Sequence, residues 1–233
     1  MIIYGCKKDN SESVQEQINE YNGKSTAVFN NNLTYMNVTD LDGNIYKTIV
    51  IGTQTWMAEN LRTTRYSNGE SLPVVTNDTT WSQLTAGAYC NYENTTNDTA
   101  IATYGRLYNW YAVNDSRKIA PKGWHVPTYD EWLVLIHFLG NDTITGGKMK
   151  EAGLKHWNSP NTGADNSSGF TSLPGSFRGF YVFYSPGIDA NFWSGSEFDA
   201  DNAYGCDNQF QNRTAYCGFS NKQFGFSIRC VKD

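Results

Sequence analysis

The side chains available for acid–base or metal chemistry are few and scattered. His125, His137 and His156 are the only histidines, no H-x-x-x-H spacing joins any two of them, and no C-x-x-C pair occurs. A zinc centre or a thiolate cluster is therefore not spelled out. The strings nearest to a nucleophile elbow, Gly175-Ser176-Phe177 and Gly195-Ser196-Glu197, lack the G-x-S-x-G frame that raises a serine above a strand-to-helix turn. Asp199 and Asp201 could hold calcium or flank a glycosidic bond, but carboxylates at i, i+2 in a polar segment are ordinary turn formers. No catalytic residue, metal or cofactor is expected.

Binding chemistry is better represented. Between Asp199 and Asn221 the chain interleaves Tyr204, Phe210, Tyr216 and Phe219 with Asn, Asp, Arg, Gly and Ser. Rigid aromatics supply contact area at low entropic cost and small polar residues supply adaptable hydrogen bonds, the division of labour found in antibody loops. The expected ligand surface is a loop carrying Tyr204, Asp207, Asn208, Phe210, Arg213, Tyr216 and Phe219, anchored from beneath by Trp193. The long turn-forming stretch over 158–169 is the fallback surface.

The elements that must position this segment are legible in places. Tyr35–Thr39 and Ile45–Ile51 alternate and are rich in β-branched residues around Asp42-Gly43, a hairpin signature. Thr128-Tyr129-Asp130-Glu131 is a capping box, followed by the stripe Trp132, Leu135, Ile136 and Leu139 and by Gly140, so a helix over 129–139 is expected. Leu107, Trp110 and Tyr111 share a helical face and suggest a short helix over 105–113, and a brief amphipathic piece is expected over Lys148–Leu154. The apolar runs 170–173, 177–183, 191–193 and 225–231 read as short strands, giving an α+β domain.

The chain has 233 residues, 39% hydrophobic and 15% aromatic with 18% charged, enough apolar material for one sizeable core. A net charge of −5 and 25 asparagines point away from nucleic acid and anionic membranes and towards a loop-rich exported domain. Gly5-Cys6 followed by Lys7-Lys8-Asp9 resembles a truncated bacterial lipoprotein processing site, with Cys6 the lipidated residue. Residues 1–33 are read as this signal plus a flexible polar spacer, and 34–233 as a single domain. The remaining cysteines, Cys90, Cys206, Cys217 and Cys230, allow three connectivities. The expected pairing is Cys206 with Cys217 and Cys90 with Cys230.

Several motifs, in order, carry a family resemblance: Thr39-Asp40-Leu41-Asp42-Gly43-Asn44-Ile45-Tyr46, Ile51-Gly52-Thr53-Gln54-Thr55-Trp56-Met57-Ala58-Glu59-Asn60-Leu61, and Gly105 to Val113. Pro121-Lys122-Gly123-Trp124-His125-Val126-Pro127, Phe192-Trp193-Ser194-Gly195-Ser196-Glu197 and Gly225-Phe226-Ser227-Ile228-Arg229-Cys230-Val231 complete the set. From about residue 38 onward the chain resembles the Fibrobacter succinogenes major paralogous domain family of bacterial surface lipoproteins. The resemblance implies a C-type-lectin-like fold, shared with formylglycine-generating enzymes, with two helices, short antiparallel strands and long loops. It implies a lipid-anchored outer-membrane protein, exposed at the surface of a Bacteroidetes-like cell, whose partner is a protein or a glycan. Some proteins resembling this family are diversified by retroelements that mutate asparagine codons, and Asp201–Asn208 and Arg213–Asn221 contain none of the Lys, Glu, Gln, Met and Trp that such mutation excludes. Two alternatives accompany this reading, a formylglycine-generating or other protein-modifying enzyme and a structural envelope lipoprotein.

Overall fold

The computed structural model describes residues 19–184 and 186–233, so the expected lipidation site at Cys6 lies outside the described residues. The first hairpin joins β1 (Met36–Thr39) to β2 (Ile45–Ile51), with Thr39 opposite Ile45. Asp40 builds the turn: its carboxylate accepts from the backbone of Asp42 and Asn44, from the Asn44 amide and from the Tyr46 hydroxyl, while Gly43 takes φ 78°. β3 (Gln54–Met57) follows directly and pairs antiparallel with β2.

The middle of the chain is irregular. Short helix α1 (Asp78–Trp81) leads to β4 (Tyr89–Cys90), helix α2 (Asp98–Tyr104), β5 (Leu107–Tyr108) and the single turn α3 (Trp110–Val113). The helix expected over 105–113 is thus split. Leu107 and Tyr108 are both buried and pair with Cys90 and Tyr89, and Asn109 then starts a new helix by accepting from the Ala112 amide.

After β6 (Trp124–His125), helix α4 (Tyr129–Leu139) forms as its sequence dictates. The Thr128–Glu131 capping box is complete, Gly140 closes the helix in the left-handed region, and Trp132, Leu135, Ile136 and Leu139 are buried. Helix α5 (Asp142–Met149) replaces the amphipathic piece expected over 148–154. Gly146 and Gly147 explain the shift: a side chain at either would collide with the carbonyl of Thr214 or Gly163, so α5 seats against backbone. The runs 170–173 and 177–183 make isolated bridges, Lys150 to Ser172 and Arg178 to Phe183 and Gly225, rather than strands. The C-terminal strands are β7 (Asp189–Glu197), β8 (Asn202–Gln209), β9 (Ala215–Asn221) and β10 (Val231–Lys232).

The result is a mixed α+β domain with antiparallel sheets in the orders β1-β2-β3-β10-β6, β4-β5 and β7-β8-β9. Successive strand residues feed opposite sides. Met57 and Trp193 join a core with Tyr46, Tyr108, Phe226 and Ile228, whereas Trp56 and Phe192 join another with Trp132, Ile136 and Phe170. Between them Arg229, fully buried, donates to the Asn60 side chain and to the carbonyls of Met57, Phe170 and Thr171, tying β3 to the 170–171 segment.

Two expectations are corrected. Residues 19–32 are not a free spacer: the Val28 amide donates to Glu151, the Thr26 hydroxyl meets His156 at 3.0 Å, and Phe29 packs on the core beneath Lys47. A polar composition hid a segment whose backbone satisfies buried side chains of the domain. Cys90 and Cys230 are unpaired. Cys90 sits among Trp81, Ala88 and Leu107, while Cys230 lies in the separate core around Met57 and Ile228, so each thiol fills its own apolar space.

Candidate functional site

The segment expected to be an irregular loop is a regular β-hairpin on the edge of the β7-β8-β9 sheet. Cys206 and Cys217 face each other in register and form the expected disulfide, with Cα atoms 4.0 Å apart. The bond therefore staples two paired strands instead of closing a loop. The period of two then sorts the candidate residues onto opposite faces.

One face looks towards α4. Tyr204 stacks on Tyr129 at 4.2 Å between ring centroids and meets Phe198 edge-on, and Phe198 stacks on Phe219 at 4.2 Å. Phe219 is 57% exposed, so this aromatic row ends at solvent. Asn208 is buried on the same face and is not available to a ligand. Phe210, at the turn, packs partly against the core.

The other face carries Asp207 and Tyr216, opposite each other in register, and Asn191 of β7 beside Asp207. Gly205 and Gly218, also paired, form the floor. A β-carbon on Gly205 would come within 2.8 Å of the Phe192 carbonyl oxygen, and one on Gly218 within 2.6 Å of the Tyr216 ring, so the ring lies over bare backbone. Tyr216 is 70% exposed. A groove of about 270 Å³ runs along this face, lined by Asn191, Gly205, Asp207, Tyr216, Gly218 and Phe226, and a second of the same volume continues past Gln209, Asn212 and Thr214. Asp207 and Tyr216 line both.

The polar chemistry of the groove is incomplete. Gln209 donates to Asp207 Oδ2, but Asp207 Oδ1 and Asn191 Nδ2 are buried without a hydrogen-bond partner. Burial, with Asp189 nearby, pushes the Asp207 carboxyl up to about 6. Among the described residues no cluster of three or more His, Cys, Asp or Glu side chains is placed to hold a metal.

Two devices hold the hairpin rigid. Trp193 does not lie beneath the hairpin as expected: opposite Gly205 in register, it sits on the groove side of β7, where it is fully buried, stacks on Phe226 at 4.3 Å and donates from Nε1 to the Tyr108 carbonyl. Lys150, also fully buried, donates from Nζ to the carbonyls of Thr162, Gln209 and Asn212, tying the hairpin turn to the 158–169 segment, and burial pushes its ammonium down to about 8. Arg213 is exposed at this turn with its side chain across Gly163, and its carbonyl accepts from Gly147. Of the candidate residues the fold thus brings Asp207 and Tyr216 together, sets Tyr204 and Phe219 on the opposite face, and puts Arg213 at the tip. Sequence reasoning missed Asn191, whose place beside Asp207 depends on the β7–β8 register; the alternation of Asn191 with buried Phe192 was the available signal.

A larger cavity of about 360 Å³ lies elsewhere, between Asp40, Arg65, Lys118, Lys122 and Trp124. Its Arg65 is already paired with Asp42 at 2.9 Å.

These features define an α+β domain that presents a disulfide-stapled, aromatic and polar hairpin on a rigid support. The chain belongs to the Fibrobacter succinogenes major domain family, whose model matches residues 49–232. Neither a curated protein nor a solved structure matches it.

Proposed function

We propose that this chain is a lipid-anchored surface protein, with a C-type-lectin-like domain, that binds a protein or glycan ligand through its C-terminal hairpin. The observation that carries the reading is Tyr216, 70% exposed on a disulfide-stapled strand beside a carboxylate with an unpartnered oxygen. Rigid sheets present side chains with little ordering cost, and an exposed aromatic on such a support is a surface prepared for a partner. Phe219 and Arg213 extend the surface to the strand edge and the turn. The lipid anchor at Cys6 and an outer-membrane address rest on the sequence motif, and retroelement diversification rests on the family resemblance.

The alternative of a formylglycine-generating or other protein-modifying enzyme has less support. Oxidation of a substrate cysteine needs reactive thiols close together at a groove. Here Cys90 and Cys230 are buried in different clusters, and burial pushes both thiols up, Cys90 to about 11. A purely structural envelope role leaves the exposed aromatics and the unsatisfied groove without a use.

The test is a combined glycan and surface-protein array probed with the full chain. Tyr216→Ala and Arg213→Ala should weaken binding to a captured ligand by ~1–4 kcal/mol where either is a hot spot, with a melting temperature close to wild type. Unchanged binding by both variants, or oxidation of a cysteine-containing peptide to an aldehyde by the purified protein, would overturn the reading.

A further inference from the structure

We propose that the outer edge of β9 takes an extended peptide segment of another protein as a further strand of the β7-β8-β9 sheet. The segment runs antiparallel to β9 and carries a Lys or Arg towards its N-terminal end. This rests on the reading of the hairpin as the binding surface and names the kind of ligand it takes.

The backbone of β9 is paired on one side and open on the other. Cys206 and Cys217 have Cα atoms 4.0 Å apart, the close spacing of a non-hydrogen-bonded pair in an antiparallel ladder. The N–H and C=O of Cys217 therefore point away from β8, and with the period of two so do those of Phe219. Among the described residues no backbone group bonds to them. The outer side of β7 is different: the Ser176 and Ser227 amides donate to the Asp189 and Asn191 carbonyls, and the Trp193 and Gly195 amides donate to the Ser227 and Pro127 carbonyls. The other sheet edges are short, β1 with four residues and β4, β5 and β6 with two each. β9 has seven residues, Ala215–Asn221, without the charge or proline that usually keeps an exposed edge from pairing. What an open row of N–H and C=O groups selects is another extended backbone.

The ends and faces of the edge set the character of the segment. Beyond Ala215 the Gly147 amide of α5 donates to the Arg213 carbonyl, and at the other end the Phe224 amide donates to the Asn221 carbonyl, so both ends are stopped. A slim peptide fits between these stops, whereas a second copy of the chain would bring its own α5 and turn against them. On one face Phe219, stacked on Phe198 and 57% exposed, awaits a cross-strand neighbour, which a β-branched or aromatic residue directly opposite would supply. On the other face the residue opposite Gly218 lies diagonal to the exposed Tyr216 ring. Charge sets the direction. At the Asn221 end the β7–β8 turn exposes Asp199 and Asp201, while Lys222 beside them is buried and bonded to Glu197 and to the carbonyls of Asp199 and Ala200. At the Ala215 end Arg213 is exposed. A peptide antiparallel to β9 has its N-terminal part at the acidic end, where Lys or Arg is attracted.

The experiment screens the full chain against capped heptapeptides with a core of Thr, Val, Ile, Tyr or Phe and with Lys, Gln or Glu at either end. Calorimetry and residue-resolved amide hydrogen exchange follow on the best-bound probe. That probe should carry Lys at its N-terminal end, and a preference for Glu there overturns the assigned direction. Phe219→Ala should weaken it at least about fivefold. Asp201→Asn should weaken it roughly two- to fivefold and flatten its salt dependence. Val134→Ser, on the exposed side of α4, should leave it unchanged. Methylating the probe's backbone nitrogens one at a time should cost about tenfold at alternate positions and little at those between, because only every second amide faces β9. The Cys217 and Phe219 amides should exchange more slowly with the probe bound, while the Gly218 amide, directed at β8, should change little. Thermal melts check that each variant is folded, and the methyl scan and the exchange need no variant. A methyl scan without alternation, or Cys217 and Phe219 amides left unprotected, overturns strand addition; if Tyr216→Ala still abolishes that binding, the hairpin remains the binding surface and only the edge is wrong. Binding of no peptide, or sedimentation showing that a second copy holds the edge, overturns the proposal. If, besides, no ligand captured on the glycan and surface-protein array depends on Tyr216 or Arg213, the reading of the hairpin as the binding surface fails as well.

Discussion

The ring of Tyr216 lies over the backbone of Gly218, so close that a β-carbon on the glycine would sit 2.6 Å from the ring. Two residues apart on one strand, they share a face, and the missing side chain of one determines where the other rests. Gly218 has no positive φ, so alanine can adopt its backbone and even favours a strand. Gly218→Ala should therefore change stability by less than about 1 kcal/mol while lifting the Tyr216 ring off the groove floor. Paired thermal melts and binding titrations check this. A ligand affinity equal to wild type would mean that the ring's resting place is immaterial.

Asp207 makes the groove a place where stability is given up. Burial raises its carboxyl to about 6 from an ordinary value of 3.8, so between those pH values the native state holds a proton that the unfolded chain has released. Stability then falls as pH rises through this window, and the deficit persists above about pH 6. Allowing for partial solvent access, Asp207→Asn should stabilise the protein by about 1–2 kcal/mol at pH 7 and by nothing measurable below pH 4. Denaturant titrations at pH 3.5, 5 and 7 give the profile. A pH-independent difference would assign the effect to packing instead of charge.

The four described cysteines should separate cleanly. Non-reducing peptide mapping should find Cys206 linked to Cys217, with Cys90 and Cys230 alkylated only after denaturation, because both thiols are buried. Replacing Cys206 and Cys217 together by alanine should cost about 2–3 kcal/mol through the unfolded-state entropy of an eleven-residue separation. Detection of a Cys90–Cys230 bridge would contradict the placement of these residues in separate cores.

What the sequence made legible was local. The helix over 129–139 could be bounded because Thr128, Glu131 and Gly140 act within one turn of the ends they fix, and the first hairpin because Asp40 and Gly43 build their own turn. The candidate site was legible only as composition. Along β8 polar residues occur on both faces, since Asn208 is buried against the core side while Asp207 faces the groove, so alternation could not reveal a strand. Asn191 meets Asp207 through β7–β8 register, which no short-range signal encodes. Lys150 and Arg229 are charged, yet both are fully buried because backbone carbonyls distant in sequence accept hydrogen bonds from them.

The same limit concealed the role of residues 19–32, which yields the last prediction. Glu151 is fully buried; one carboxylate oxygen accepts from the Val28 amide and the other meets His156 Nδ1 at 2.7 Å, while His156 Nε2 meets the Thr26 hydroxyl. Removing everything before Leu33 would strip Glu151 of the Val28 amide and His156 of the Thr26 hydroxyl and leave a buried carboxylate short of a donor, a loss that typically costs about 1–3 kcal/mol. The truncated chain should therefore melt below the full one, although composition alone would place the cut in a dispensable spacer. Glu151→Gln separates the causes. In the full chain it should destabilise, because a neutral amide gives up the charge-assisted contacts that the carboxylate makes to Val28 and His156; in the truncated chain it should be less harmful, because the uncompensated charge is gone. Equal melting temperatures for the full and truncated chains would show that the segment rests on the domain without supporting it.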